Sequence, residues 1–139
     1  LFTSDFNEGW GAVLNEAMNS GCAVIASHAI GSVPYLINNG ENGLIYSNGN
    51  IDHLYKNTRY LLENNDECFR LGENAYMYLK ETWNEKVAAT RFTYLSEYLL
   101  SGKLQHFEDG PCSKAEPLSN DWFRKDLSGY VDKCNSSNL

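Results

Sequence analysis

From its first residue the chain alternates short apolar runs with longer stretches in which apolar residues return every third or fourth position. Leu1 to Ser4 passes from apolar to polar, as the end of a strand does, and Asp5-Phe6-Asn7-Glu8-Gly9 reads as a loop. Trp10, Val13, Leu14, Ala17 and Met18 then fall at i, i+3, i+4, i+7 and i+8, one face of a helix. Gly21 follows, where helices commonly stop in a left-handed turn. Cys22-Ala23-Val24-Ile25-Ala26 is a continuous apolar run whose length and β-branched pair predict a strand buried on both faces, as in a parallel sheet. Within it Cys22 is expected to be a small buried hydrophobe.

After a Gly31-Ser32 turn, Pro34 is placed to start a short helix through Ile37. Asn39-Gly40-Glu41-Asn42-Gly43 is dense turn chemistry, more structural than catalytic, and Leu44-Ile45-Tyr46 a brief strand. Leu54, Tyr55, Thr58, Leu61 and Leu62 give a second helical stripe. A third helix is predicted from an N-cap at Asp66 to about Glu81, and a fourth from near Asn84 with Val87, Ala88, Phe92, Leu95 and Leu99 on its apolar side. Strand and helix signals that alternate in this way predict an α/β domain with a parallel sheet over residues 1–101. Residues 102–139 lose the pattern and read as an extended or partly disordered tail, with an amphipathic piece around Trp122, Phe123, Leu127 and Tyr130 that can dock on the body.

Composition narrows the function classes. With 139 residues the chain can bury one core, and 42% apolar residues is ordinary globular usage. A net charge of −7 gives no electrostatic footprint for nucleic acid or for an anionic membrane surface. No stretch approaches the run of about twenty apolar residues that spans a bilayer, and no signal peptide is visible. Cys22, Cys68, Cys112 and Cys134 stand far apart, without zinc-ligand spacing, and read as reduced thiols of a cytoplasmic protein.

The stretch that carries chemistry is Asn7-Glu8-Gly9-Trp10-Gly11-Ala12-Val13-Leu14-Asn15-Glu16-Ala17. It sets one carboxylate in a strand-to-helix loop and a second one eight positions later. Glycines 9 and 11 let a ligand approach the backbone, and the amides and dipole of a helix start favour a phosphate. Glu16 lies roughly 130° around the helix from the centre of the apolar stripe, so it is not simply core. A carboxylate there suits vicinal hydroxyls, as on a ribose. Taken alone, the spacing fits equally a Gly-containing helix start with an exposed Glu16.

Taken in order, Glu8-Gly9-Trp10-Gly11, Glu16-Ala17-Met18, Gly21, Val24-Ile25-Ala26-Ser27, Gly31, Pro34 and Gly40-Glu41-Asn42-Gly43-Leu44-Ile45 resemble the donor-binding domain of the large retaining glycosyltransferase family 4. The later helices and the Trp83-Asn84 junction are also similar, so the resemblance covers about residues 1–100. It implies part of a Rossmann-like doubly wound parallel sheet, the C-terminal domain of the GT-B architecture, followed by C-terminal helices. It implies that Glu8 is the catalytic-site carboxylate on the donor sugar's hydroxyls and that Glu16 holds the nucleotide ribose. Backbone amides around Gly9, Trp10 and Gly11 would line sugar and diphosphate, with those of Ala12 and Val13 close to the phosphates. It implies no cofactor and no metal, the donor being a nucleoside diphosphate sugar and the acceptor a glycan, a lipid or a small molecule. The family's basic pair and its acceptor domain precede the matched motifs. The opening at Leu1 is therefore read as a start inside the domain. Tyr35 departs from the Glu that the family often carries after the Pro.

The reading is thus the donor half of a retaining hexosyltransferase, inactive alone, set by resemblance in polysaccharide or glycolipid assembly in the cytoplasm or at the membrane's inner face. The rivals are a catalytically dead nucleotide-sugar-binding module and a nucleotide-sugar epimerase of the same architecture. His28 is expected to be held by backbone, Trp122 to be a docking anchor, and an Asp5–Glu8 acid/base pair for glycoside hydrolysis has nothing else in its favour.

Overall fold

The computed structural model describes residues 1–103, 106–115 and 119–124. Leu127, Tyr130 and Cys134, singled out above, lie outside the described residues. The chain runs α1 (Ala12–Asn19), β1 (Ile25–Ser27), α2 (Val33–Leu36), β2 (Leu44–Tyr46), α3 (Ile51–Glu63), α4 (Asn65–Glu81) and α5 (Glu85–Leu100), with a 3₁₀ turn at Trp122–Arg124.

β1 and β2 pair in parallel, Ile25 opposite Leu44, Ala26 opposite Ile45 and Ser27 opposite Tyr46. Phe2 joins the other edge of β1: its N–H donates to Ile25 O at 2.9 Å and its carbonyl accepts from Ser27 N at 3.3 Å. Successive side chains of a strand point to opposite faces, so this narrow sheet feeds two cores. Val24, Ala26 and Ile45 pack with Leu14, Met18, Val33, Leu36, Ala75 and Leu79, while Ile25 and Tyr46 pack with Leu61 and Leu71. That two-sided cover explains an apolar run without alternation. The expected mixed α/β class with parallel strands is what the chain adopts, with much of its length in helix.

α4 orders much of the first half. Arg70 Nη2 donates to Gly40 O at 2.9 Å and Asn74 Nδ2 to Glu41 O at 2.7 Å, which pins the 39–43 turn. Inside that turn the buried Asn42 donates to Leu36 O and accepts from Asn38 N, a structural role as expected. Gly72 is where α4 meets the end of α1: a Cβ there would lie 2.2 Å from Gly21 O. Gly72→Ala sets a helix-propensity gain of about 0.5–1 kcal/mol against overpacking of about 1–3 kcal/mol. The contact is with backbone, so overpacking should prevail and lower the stability measured by urea unfolding. A stabilised variant would show that α4 has room to move.

One expectation needs correction. Cys22 is exposed, because the residues before Val24 close the turn that ends α1: Cys22 N donates to Ala17 O at 3.0 Å and Gly21 takes φ +72°. α5 starts where predicted, Asn84 Oδ1 accepting from Lys86 N and Val87 N at 3.0 Å each, but none of its residues is buried. Phe92 and Leu99 stay more than half exposed, since periodicity marks an apolar face without supplying a neighbour to cover it. A smaller shift concerns α4, which begins at Asn65, so Asp66 stands in its first turn and is not the cap.

Candidate functional site

Three loops leave the carboxyl ends of the parallel segments: residues 5–11 after Phe2, 28–32 after β1 and 47–50 after β2. The first is shaped by its own side chains. Asp5 Oδ1 accepts from Asn7 N at 2.9 Å and Asn7 Nδ2 at 3.0 Å, so Asp5 makes the turn. Glu8, half-buried, accepts the Gly11 N–H on Oε1 at 3.1 Å. Gly11 takes φ +80°, and a Cβ there would meet the Phe2 ring at 2.8 Å, so both conformation and space demand glycine.

The first two loops are pressed together. Gly31 N donates to Glu8 O at 3.4 Å, and a Cβ on Gly31 would lie 1.8 Å from Gly9 O. Beyond Gly11, α1 opens with Ala12 and Val13 exposed and no side-chain cap. The first amides of such a helix have no intrahelical partner and are suited to an anion.

Glu8, Gly9, Gly11 and Gly31 come together at the loop. Glu16, exposed one turn into α1, lines a cavity of about 580 Å³ whose wall includes Asn15, Tyr76, Lys80, Trp83 and Lys86. Trp10 stands between the two. Its indole donates to Asn15 Oδ1 at 3.1 Å and packs on Tyr35 and Trp83, ring centroids 6.1 and 5.5 Å away. Tyr78 OH donates to Tyr35 O at 3.2 Å and accepts from Trp83 Nε1 at 3.3 Å, tying α2, α4 and the α4–α5 junction to the loop. Periodicity along the chain does not mark this aromatic assembly. Its signal in the sequence is Tyr35, an aromatic where the resembling family often has a carboxylate.

His28 is buried, and its Nδ1 accepts from Asn48 N at 2.9 Å, the backbone engagement expected of it. A neutral ring therefore carries its proton on Nε2. The 3₁₀ turn reaches the same end of the sheet. Phe123 stacks on Phe6 at 4.2 Å, and Trp122 meets His28 edge-on at 6.3 Å. Arg124 shares a cavity of about 680 Å³ with residues 47–52. Burial raises the Tyr46 phenol above its ordinary pKa, a hydrogen bond with Ser27 opposing the shift in part. Among the described residues no group of three or more His, Cys, Asp or Glu is placed to hold a metal ion, and no helix is long and apolar enough to cross a membrane.

Residues 1–78 match the family described as glycosyl transferases group 1. No curated protein matches the chain significantly in sequence. Among solved structures the chain is similar to sucrose-phosphate synthase from Thermosynechococcus elongatus, with 26% identity and a TM-score of 0.58 over 68% of this chain and 23% of that one. It is similar to the C-terminal domain of the group 1 glycosyl transferase LpcC from Francisella tularensis, with 28% identity and a TM-score of 0.52 over 56% of this chain and 40% of that one. Anabaena HepE, solved in complex with UDP and glucose, is 26% identical with a TM-score of 0.54, over 66% of this chain and 24% of that one. These neighbours are GT-B glycosyltransferases. The chain spans between 23% and 40% of their lengths.

Proposed function

The chain belongs to the glycosyl transferases group 1 family, and from that premise we propose that it is the donor-binding part of a retaining transferase, of the family 4 type. The reaction moves a hexosyl unit from a nucleoside diphosphate sugar to a glycan, lipid or small-molecule acceptor. The observation that carries this reading is the loop at Glu8–Gly11, held by Gly31 against the carboxyl end of β1 and running into the uncapped start of α1. Open parallel sheets receive ligands at that end. In the same direction, the similar HepE structure holds UDP and glucose.

In this reading Glu8 is the catalytic-site carboxylate and takes hydroxyls of the sugar. The backbone of Gly9, Trp10 and Gly11 lines sugar and diphosphate, the Gly11 N–H being held by Glu8, and the amides of Ala12 and Val13 face the phosphates. Helix amides and basic side chains meet the charge of the leaving diphosphate, so no resident metal or cofactor is invoked. An acceptor domain completes the site, and the chain alone binds donor without turning it over. The setting we infer is cell-surface polysaccharide or glycolipid assembly from the cytoplasmic side.

Glu16 provides the test. Its carboxylate is assigned to the ribose, and charge-assisted hydrogen bonds contribute about 1.5–3 kcal/mol. Glu16→Gln keeps the shape and removes the charge. UDP affinity measured by calorimetry on the chain should fall about tenfold or more. Unchanged affinity would remove Glu16 from the site and weaken the donor reading with it.

A further inference from the structure

Each of the three loops at the carboxyl end of the sheet is met by one residue of a single short segment. Phe123 stacks on Phe6 of the first loop, with ring planes 25° apart. Trp122 sets its ring edge-on to His28 of the second, and Arg124 lines the cavity formed with Ser47–Asp52 of the third. The segment is braced internally: Trp122 N donates to Ser119 O at 3.0 Å, Arg124 N to Asp121 O at 2.9 Å, and the Arg124 guanidinium rests 5.3 Å from the centre of the Phe123 ring. It crosses the end of the sheet, over Phe6 and His28, where a ligand of an open parallel sheet has to enter.

We propose that residues 119–124 form a strap that closes over the donor site and competes with the nucleotide sugar for it. The proposal rests on the donor-site reading given above. Among the described residues, the contacts of the strap with the rim include two half-buried aromatic side chains, Trp122 and Phe123. A strap of this kind can swing away as a unit. Ligand then binds only the open fraction, and apparent affinity is reduced by that fraction. A strap closed about nine-tenths of the time weakens binding about tenfold. The strap thus sets the donor concentration at which the site fills.

The test uses the full chain and the variant Trp122→Ala/Phe123→Ala, titrated with UDP by calorimetry. The variant should bind about three- to tenfold more tightly, with Phe123→Ala alone in between, because Trp122 still covers His28. Hydrogen exchange without nucleotide reads closure directly: amides of residues 5–9 and 28–31 should exchange faster in the variants. Addition of UDP to the unaltered chain should speed exchange at 119–124. Equal or weaker UDP binding by the variants would overturn competition, since a segment that helps hold the donor gives that result. Unchanged exchange in both loops would overturn closure. Failure of every form to bind UDP would bring down the donor reading, and the strap's competition with it, while the exchange data still report whether the strap closes.

Discussion

Gly31→Ala is expected to cut nucleotide-sugar turnover about a hundredfold or more while the helical body stays folded. The reason is space. A Cβ on residue 31 would stand 1.8 Å from Gly9 O and 3.0 Å from Gly9 C, and neither neighbour is a flexible side-chain end that can turn aside. The two loops must part by roughly an ångström, and a displacement of that size at a reacting site costs about 10²-fold in rate. The Gly31 N–H to Glu8 carbonyl hydrogen bond, 3.4 Å long, is lost in the same movement. The measurement is kcat/KM in a protein where this chain is joined to an acceptor domain, with circular dichroism as the check on folding. Undiminished kcat/KM would mean that the contact between the loops does not position the donor.

Glu8→Ala carries the second large effect, and its interpretation depends on a comparison with Glu8→Gln. The carboxylate both accepts the Gly11 N–H at 3.1 Å and, in the donor reading, takes the sugar's hydroxyls. Alanine removes the acceptor and the charge together. Glutamine keeps an oxygen for Gly11 and removes only the charge. Loss of a charge-assisted hydrogen bond costs about 1.5–3 kcal/mol, or about ten- to a hundredfold, and loss of the loop brace adds to it. Turnover should therefore fall about a thousandfold in the Ala variant and less in the Gln variant, with UDP binding nearly intact in both. If UDP binding collapses in the Gln variant as well, Glu8 does not act at the sugar end. If Gln and Ala are equally impaired, the brace to Gly11 contributes nothing.

The parts of this structure that could be read in advance are those set by neighbours in sequence. Leu14 and Met18 are buried where the periodicity of α1 places them, and Val24-Ile25 marks the strand that two layers of helix cover. Asn84 caps α5 because two amides within three residues need an acceptor. What could not be read depends on residues far apart in the chain. Nothing near Gly31 says that its partner is the backbone of Gly9, and nothing near Tyr35 says that Trp10 and Trp83 will gather on it. Exposed Phe92 and Leu99 show the converse limit, an apolar face with no described element across from it. At the candidate site the two carboxylates were legible as a spaced pair. Their division between a braced loop and the α4–α5 cavity was not, because it depends on where α4 comes to rest.

The clamp from α4 also has a consequence for the order of assembly. Gly40 and Glu41 receive Arg70 and Asn74 from positions 30 and 33 residues further along, and Tyr35 receives Tyr78 from 43 residues away. Contacts this distant form late, because the intervening chain must close before they repay its entropy. On a ribosome, where a chain emerges from its N-terminus, the donor loop is made before the α4 residues that complete its surroundings. Trp10 gains its second ring only when Trp83 has left the exit tunnel. A chain that pauses in synthesis before α4 therefore holds every residue of the Glu8–Glu16 stretch and its local braces, but lacks the Trp83 ring that packs on Trp10 and the far wall of the cavity at Glu16.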